Sequence, residues 1–325
     1  IFINDFGYDL NSDSFLFADD TSLLLQYSPS QILRSVQLVN DDLNAILNWA
    51  DLWRIQFNTA KTEVMNFSPT GKVENGIVIN FGANALVPVK KHVHLGIVLS
   101  SDLKWTMHID SVISECCKLL GLLRRQSSNL SFFQKCSIYS AIILPKIEYG
   151  AVLYDSCSAA DIVKLEQIQR KAALICTGAL FRTESKPLFT FLPWDSLSVR
   201  RVVAMLSLFY KMLRKIAPGY LSNLIELTNT NAYLTRGNDP NRLNVKIDKC
   251  RLSSTYKSFL FTASRLWNKL PLLTKQSENL MKFKISLKNH LNYFSTPYIY
   301  FGYDRNLNNK LDCCLLQMKL GLSLL

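Results

Sequence analysis

The sequence predicts an α+β chain in which short strands come first and helices follow. Between Asp13 and Leu99 apolar residues alternate with polar ones in short runs broken by Asn, Asp, Gly and Pro, as half-buried strands do. From Trp105 onward they recur every third or fourth residue instead, which is the helical period. Across 325 residues 48% are hydrophobic, enough for a packed core that needs no covalent staples.

The first ordered stretch is the run Ser14 to Gln26. Phe15, Phe17, Leu23 and Leu25 alternate with their neighbours on either side of Ala18-Asp19-Asp20-Thr21. Turn chemistry between two alternating runs predicts a tight β-hairpin with one buried face and two acids at its tip. A helix follows, with Ser28 as its cap, Pro29 in the first helical position and Gln31 completing a capping box. Ile32, Val36, Val39, Leu43, Ile46, Ala50 and Trp53 give it one apolar stripe for the back of a sheet.

Arg54 to Phe57 and Thr62 to Phe67 read as short strands joined by a loop that carries Lys61. Pro69 to Asn75 reads as a polar turn, and Ile77 to Ile79, Leu86-Val87 and Val93 to Leu99 as further strands. Gly96 permits a bulge, a close backbone approach or a plain tight hairpin. Helices are then expected from Trp105 to Arg125, from Phe132 to a stop at Pro145, from Ala160 to Thr177 with Gly178 ending it, and from Pro193 to Ile216. Thr228 to Arg251, polar and rich in Asn, reads as a linker before two more helices, Ser254 to Leu270 and Leu280 to Phe294.

Charge is unevenly spread. Residues 1–50 hold one basic side chain against seven acids, a net of −6, while the remainder holds 36 against 18, a net of +18, giving the whole chain +12. Residues 118–215 alone carry 15 basic and 6 acidic side chains. A basic body with an acidic tip suits a protein that grips phosphates with one part and metal ions with another; a generically basic protein is the plain alternative.

The eight cysteines include two adjacent pairs, Cys116-Cys117 and Cys313-Cys314, and no C-x-x-C. None of the four histidines meets them at ligand spacing, which argues against zinc and for core-filling thiols in a reducing, intracellular setting. No apolar run reaches the length of a membrane span. The chain opens on Ile1-Phe2 with no basic n-region or cleavage site, so no signal peptide is expected, and it reads as a piece of something longer.

Adjacent aspartates in a turn have two readings: an ordinary solvated turn, or a site for a hard divalent cation, which one or two carboxylates can hold together with substrate phosphates. The surroundings favour the second. Phe17-Ala18-Asp19-Asp20, preceded by Ile3-Asn4-Asp5, resembles the catalytic Tyr/Phe-Ala-Asp-Asp box of non-LTR (LINE-type) retrotransposon reverse transcriptases. Trp49 to Ser68, with its Asn58-Thr-Ala-Lys-Thr62, resembles the next palm motif. His94-Leu-Gly-Ile97 is similar to the primer-grip turn, and Leu103-Lys-Trp105 with His108-Ile109 to the opening of the thumb. Pro145 to Gly150, Leu165 to Lys171 and Leu266 to Pro271 extend the match, which covers roughly residues 1–293.

The resemblance implies a partial polymerase palm over 1–100 (catalytic hairpin, long helix, short antiparallel strands), a mainly α-helical thumb over 101–225, and a linker with post-thumb helices over 226–325. It implies a fragment of an RNA-directed DNA polymerase that uses Mg²⁺ or Mn²⁺, with Asp19 as the main ligand and Asp20 the supporting one. Lys61 would lie near the incoming dNTP as a proton donor to pyrophosphate. The partners implied are an RNA template, a DNA primer and a dNTP, in the nucleus or cytoplasm, with no membrane partner; Gly96 would approach the primer strand. Arg124, Arg125, Arg170 and Lys171 are the phosphate candidates, each with an ordinary solvated surface role as its alternative. The family also needs a third carboxylate and a nucleotide-cradling segment before residue 1, so the chain is expected to be inactive alone. The readings from other classes are a non-catalytic binder of RNA or duplex, and a decayed element copy. Residues 312–325 lie outside the resemblance.

Overall fold

The computed structural model describes residues 5–68, 78–227, 243–247 and 256–294. The expectations for residues 1–4, 69–77, most of the linker and 312–325 lie outside the described residues. The chain divides into two compact units, 1–108 and 109–325. The described residues are mostly helical, with three small antiparallel sheets among them.

In the first unit β1 (Asp13–Phe17) pairs with β2 (Asp20–Leu24). A 3₁₀ turn at Pro29–Gln31 leads into α1 (Ile32–Trp53). The capping box expected here does not form: Ser28 makes no side-chain cap and its Oγ lies 3.1 Å from Ser30 Oγ. The tighter 3₁₀ turn consumes the residues that would have been the first turn of the helix. Arg54 closes α1 in the left-handed region (φ 55°). The segments on either side of Lys61 do not form the strands that their alternation led us to expect; they contribute one isolated bridge, Val64 to Pro88. Their apolar residues instead supply single side chains, Phe57 and Val64, to a core of Leu43, Ile79, Phe81 and Leu86. That core joins α1 to the hairpin of β3 (Ile79–Phe81) and β4 (Asn84–Leu86). A third hairpin, β5 (Lys91–His94) and β6 (Ile97–Ser100), completes the unit.

The second unit is helical. α2 (Thr106–Arg125) buries Ile109, Cys116, Leu120 and Leu123, the stripe its sequence announces. α3 (Phe132–Ile138) is closed at its start by a capping box between Ser131 and Gln134. Pro145 does not stop this helix. A π turn over Tyr139–Ile143 widens the coil, and α4 (Leu144–Glu148) starts with Pro145 in its first turn. A proline has no N–H to give and its ring crowds the preceding turn, so the wider turn lets the chain continue through it. α5 (Ala159–Thr177) runs from its Ser158 cap to Gly178 (φ 70°). α6 (Ser185–Thr190), α7 (Leu197–Leu213) and α8 (Gly219–Ser222) follow, with Ser196 capping α7 through Val199 N–H.

α9 (Phe259–Lys269), α10 (Leu272–Lys275) and α11 (Leu280–Phe294) come after the linker, and α9 and α11 pack on α7. Phe209, Tyr210, Trp267, Phe283 and Leu287 are all buried there, with the Tyr210 and Phe283 rings stacked 4.6 Å apart. Such aromatic contacts add about 1 kcal/mol beyond the area they bury. The described part of the linker is held fast. Val245 N–H donates to Asn268 Oδ1 (2.8 Å), Asn268 Nδ2 donates to Val245 O (2.9 Å), and Trp267 Nε1 donates to Leu243 O (2.9 Å). Cys116, Cys136 and Cys176 fill core positions; burial pushes the Cys116 thiol up to about 11 and the Cys176 thiol up to about 12, so neither acts as a nucleophile near neutrality.

Candidate functional site

The β1–β2 hairpin turns through a two-residue loop, Ala18-Asp19, because Phe17 pairs directly with Asp20. Ala18 sits at φ 53°, a region that costs an L residue about 1–2 kcal/mol. Residues directly opposite one another share a face, so Phe15 and Phe17 lie with Asp20, Ser22 and Leu24, while Ser14 and Leu16 lie with Thr21 and Leu23. This corrects the expected buried face. Phe15 and Phe17 are 54% and 63% exposed, and Leu23, on the other face, is the hairpin residue that packs against the core. The alternation has the right period, but a two-residue loop puts the odd residues of β1 opposite the even residues of β2.

Asp19 and Asp20 are exposed, and no hydrogen bond or ion pair among the described residues occupies either carboxylate. Two free hard-oxygen donors on adjacent residues fit part of the coordination shell of a divalent cation such as Mg²⁺, the rest coming from substrate phosphates, waters or other carboxylates. Among the described residues no group of three or more His, Cys, Asp or Glu is assembled that could hold a metal ion.

The hairpin's position is set from below by a residue the sequence reading placed in no role. Asp42 on α1 is 1% exposed. Its carboxylate accepts from Asn11 N–H (2.8 Å), Asn11 Nδ2 (2.8 Å), Ser12 N–H (2.9 Å) and Ser12 Oγ (2.6 Å), the two residues immediately before β1. Burial disfavours the charge, but the donors of Ser12 and Asn11 outweigh it and hold the pKa below the ordinary carboxylate value. The signal was present: an acid beside Leu43, within the apolar stripe, needs buried donors to be there at all. The approach to β1 is equally tight at Gly7 (φ 87°), where a Cβ would lie 2.5 Å from Ser14 Oγ. Phe6 packs edge-on to Trp49 at 5.2 Å.

Lys61 is exposed in a 3₁₀ turn, Thr59–Lys61, whose cap is Asn58; the Asn58 side chain accepts from Lys61 N–H (3.2 Å). Asn84 Nδ2 donates to Thr59 Oγ1 (2.9 Å) and ties this turn to β4. No bond among the described residues joins Lys61 to Asp19 or Asp20. Gly96 (φ 78°) and Leu95 (φ 47°) form the two-residue loop of the β5–β6 hairpin, both in the left-handed region as a type I′ turn demands. It is a tight turn without a bulge. Beneath it His108 is buried, and its Nδ1 accepts from Val98 N–H (3.3 Å); burial lowers its pKa and keeps it neutral.

In the second unit Arg124 and Arg125 are exposed in the last turn of α2, where positive charge complements the helix dipole. Arg170, midway along α5, turns into the protein: Nε donates to Ser185 Oγ (3.3 Å), and Nη2 donates to Phe181 O (3.0 Å) and Thr183 O (2.9 Å). It braces the loop before α6, while Lys171 beside it is exposed. No helix among the described residues is long and apolar enough to cross a membrane.

Comparison with known proteins finds the RNA-directed DNA polymerase from mobile element jockey of Drosophila funebris, 25% identical over 167 residues, which is 50% of this chain and 18% of that protein. The jockey polymerase of Drosophila melanogaster is 24% identical over 167 residues, with the same coverage. A probable RNA-directed DNA polymerase from transposon X-element of Drosophila melanogaster is 26% identical over 137 residues, 40% of this chain and 14% of that protein. The chain therefore spans less than a fifth of the length of these curated relatives. No protein-family profile and no solved structure matches it. The chain is related in sequence to the RNA-directed DNA polymerases of non-LTR mobile elements.

Proposed function

We propose that this chain is part of an RNA-directed DNA polymerase of a non-LTR element, with residues 1–100 contributing to the palm and 101–225 forming the thumb. The observation that carries the reading is the pair of exposed carboxylates, Asp19 and Asp20, at a strained two-residue loop whose base is pinned by Asp42. When bound, Mg²⁺ or Mn²⁺ supplies Lewis-acid stabilisation of the attacking and leaving oxygens in phosphoryl transfer. Asp19 would be the main ligand and Asp20 the supporting one, while Lys61 would neutralise departing pyrophosphate. Gly96 would let the primer backbone approach. The template is RNA and the growing strand DNA.

The described residues bring no third carboxylate to the hairpin, and removing one member of a cooperative catalytic unit costs most of its rate. The isolated chain should therefore bind divalent metal weakly and synthesise no DNA. Mn²⁺ binding followed by electron paramagnetic resonance tests the first half: D19N/D20N should abolish the protein-bound signal, and an unchanged signal refutes the assignment. Primer extension on a homopolymer RNA tests the second: template-dependent synthesis by this chain alone refutes it.

A second reading, a non-catalytic binder of RNA or duplex, is favoured by Arg124 and Arg125, which meet no acid among the described residues. Filter binding across a salt series should show a steep slope that falls by about 1.5–2 in R124A/R125A. Weak binding insensitive to salt removes this reading.

A further inference from the structure

A cavity of about 470 Å³ opens in the second unit between α4, the turn to Tyr154, α7 and α11. This is within the roughly 300–1,000 Å³ of small-ligand pockets. Part of its wall is apolar, formed by Ile147, Ala151, Leu197 and Val203, all buried. Five cations also line it. Three are already answered: Arg200 is held by both oxygens of Glu148, Arg201 lies 3.6 Å from Asp155, and Lys288 lies 2.7 Å from Asp195. Lys211 and Lys284 meet no acid among the described residues. Ser207, 6% exposed, also lines the cavity, and its buried Oγ has no hydrogen-bond partner among the described residues. A buried hydroxyl left unpaired is disfavoured, and native proteins leave few of them.

Two unanswered ammonium groups, one unanswered hydroxyl and an apolar wall define a complementary ligand. It carries a dianionic head with acceptor oxygens and a body that leaves water willingly. A phosphate monoester bears about −1.5 to −2 at neutral pH, whereas an internal phosphodiester bears one charge. We propose that this cavity binds the 5′-phosphate monoester of a nucleotide, with the phosphate at Lys211, Lys284 and Ser207 and the nucleoside against the apolar wall. The nucleotide is either free or the 5′-phosphorylated end of a strand. The site uses neither the Asp19–Asp20 hairpin nor Arg124 and Arg125, so it goes beyond the polymerase reading and stands or falls apart from it.

The test uses the full chain, wild type and two variants, K211Q/K284Q and S207A, each first shown to melt like the wild type. Calorimetric titration with 5′-AMP and with adenosine probes the free nucleotide. Fluorescence anisotropy with a 3′-labelled RNA 12-mer, bearing either a 5′-phosphate or a 5′-hydroxyl, probes the strand end. The expected result is at least a tenfold preference for the phosphorylated probe in one of the two pairs. That preference should be lost in K211Q/K284Q and weakened about threefold in S207A. Preference in the AMP pair assigns a free nucleotide, and preference in the RNA pair assigns a strand end. R124A/R125A serves as the separate arm: it should lower affinity for both RNA forms alike, and if it does not, the binding reading above fails while this one remains. Equal binding of phosphorylated and unphosphorylated probes, no binding of either pair, or a preference that survives K211Q/K284Q overturns the proposal.

Discussion

Replacing Asp42 with alanine should release the hairpin that presents Asp19 and Asp20. The side chain is 1% exposed and accepts four hydrogen bonds of 2.6–2.9 Å from Asn11 and Ser12. A hydrogen bond to a charged group contributes about 1.5–3 kcal/mol, but the four share one acceptor group and are not additive. Asn11 is exposed, so water can take over its two bonds; Ser12 is buried, so its N–H and Oγ are left without partners. The two buried losses dominate, and the cost is about 3 kcal/mol. That corresponds to a roughly 150-fold rise in the opening equilibrium. Hydrogen exchange by mass spectrometry on the full chain reads this directly: peptides covering 13–24 should exchange on the order of 100-fold faster in D42A, and about tenfold faster in D42N, which keeps one acceptor oxygen. Peptides from α5 in the second unit should not change. Unaltered protection of 13–24 in D42A, or equal loss in α5, would refute the claim that this carboxylate pins the hairpin. Because the folded pKa of Asp42 is depressed, the part of its contribution that depends on charge is present above the ordinary value of 3.8 and is lost as pH falls below it, so the gap between D42A and wild type should narrow in strong acid towards that between D42A and D42N.

The buried His108 should give the first unit a second, higher pH dependence: its folded pKa lies below 6.5, so its contribution is complete above 6.5 and declines as pH falls through the lowered value. Urea midpoints at about pH 7.5 and 5.5 should drop for wild type and change less for H108Q; equal drops refute it. Gly7→Ala should cost about 2 kcal/mol of hairpin protection, from the left-handed φ and the 2.5 Å contact with Ser14 Oγ, and adding Ser14→Ala should recover only the contact part. Ala18→Gly should do the reverse, strengthening the hairpin by about 1 kcal/mol because glycine accepts φ 53° without strain; slower exchange of 13–24 is the readout, and no change refutes the strain. Asn268→Ala removes both bonds to Val245, and limited proteolysis should then cut near 243–247 at least several-fold faster than in wild type; an unchanged cutting rate refutes the anchor.

Local signals were enough for much of this chain. The order of strands then helices, the stripe of α2, the Gly178 end of α5, and the hairpin with Asp19 and Asp20 at its turn all rest on interactions within a few residues, and adjacent letters report those faithfully. Pro145 shows where such rules stop, since a proline ends a helix only if the preceding turn cannot widen, and Tyr139 to Ile143 widened. Pairing register decided that Phe15 and Phe17 share the exposed face with Asp20. Residues 31 apart in the chain decided that Asp42 is a clamp rather than a surface acid, and residues 11 and 13 apart decided that Arg170 braces a loop. Likewise, the Leu266-Trp-Asn-Lys-Leu-Pro271 motif became an anchor only when 243–247 came to rest against Trp267 and Asn268. Composition announced a basic body, but which cations remain unanswered depends on which acids fold beside them: Glu148, Asp155 and Asp195 neutralise Arg200, Arg201 and Lys288, leaving Lys211 and Lys284 to face the cavity. Charge and hydrogen bonding are settled by distance in space, which a linear pattern does not contain.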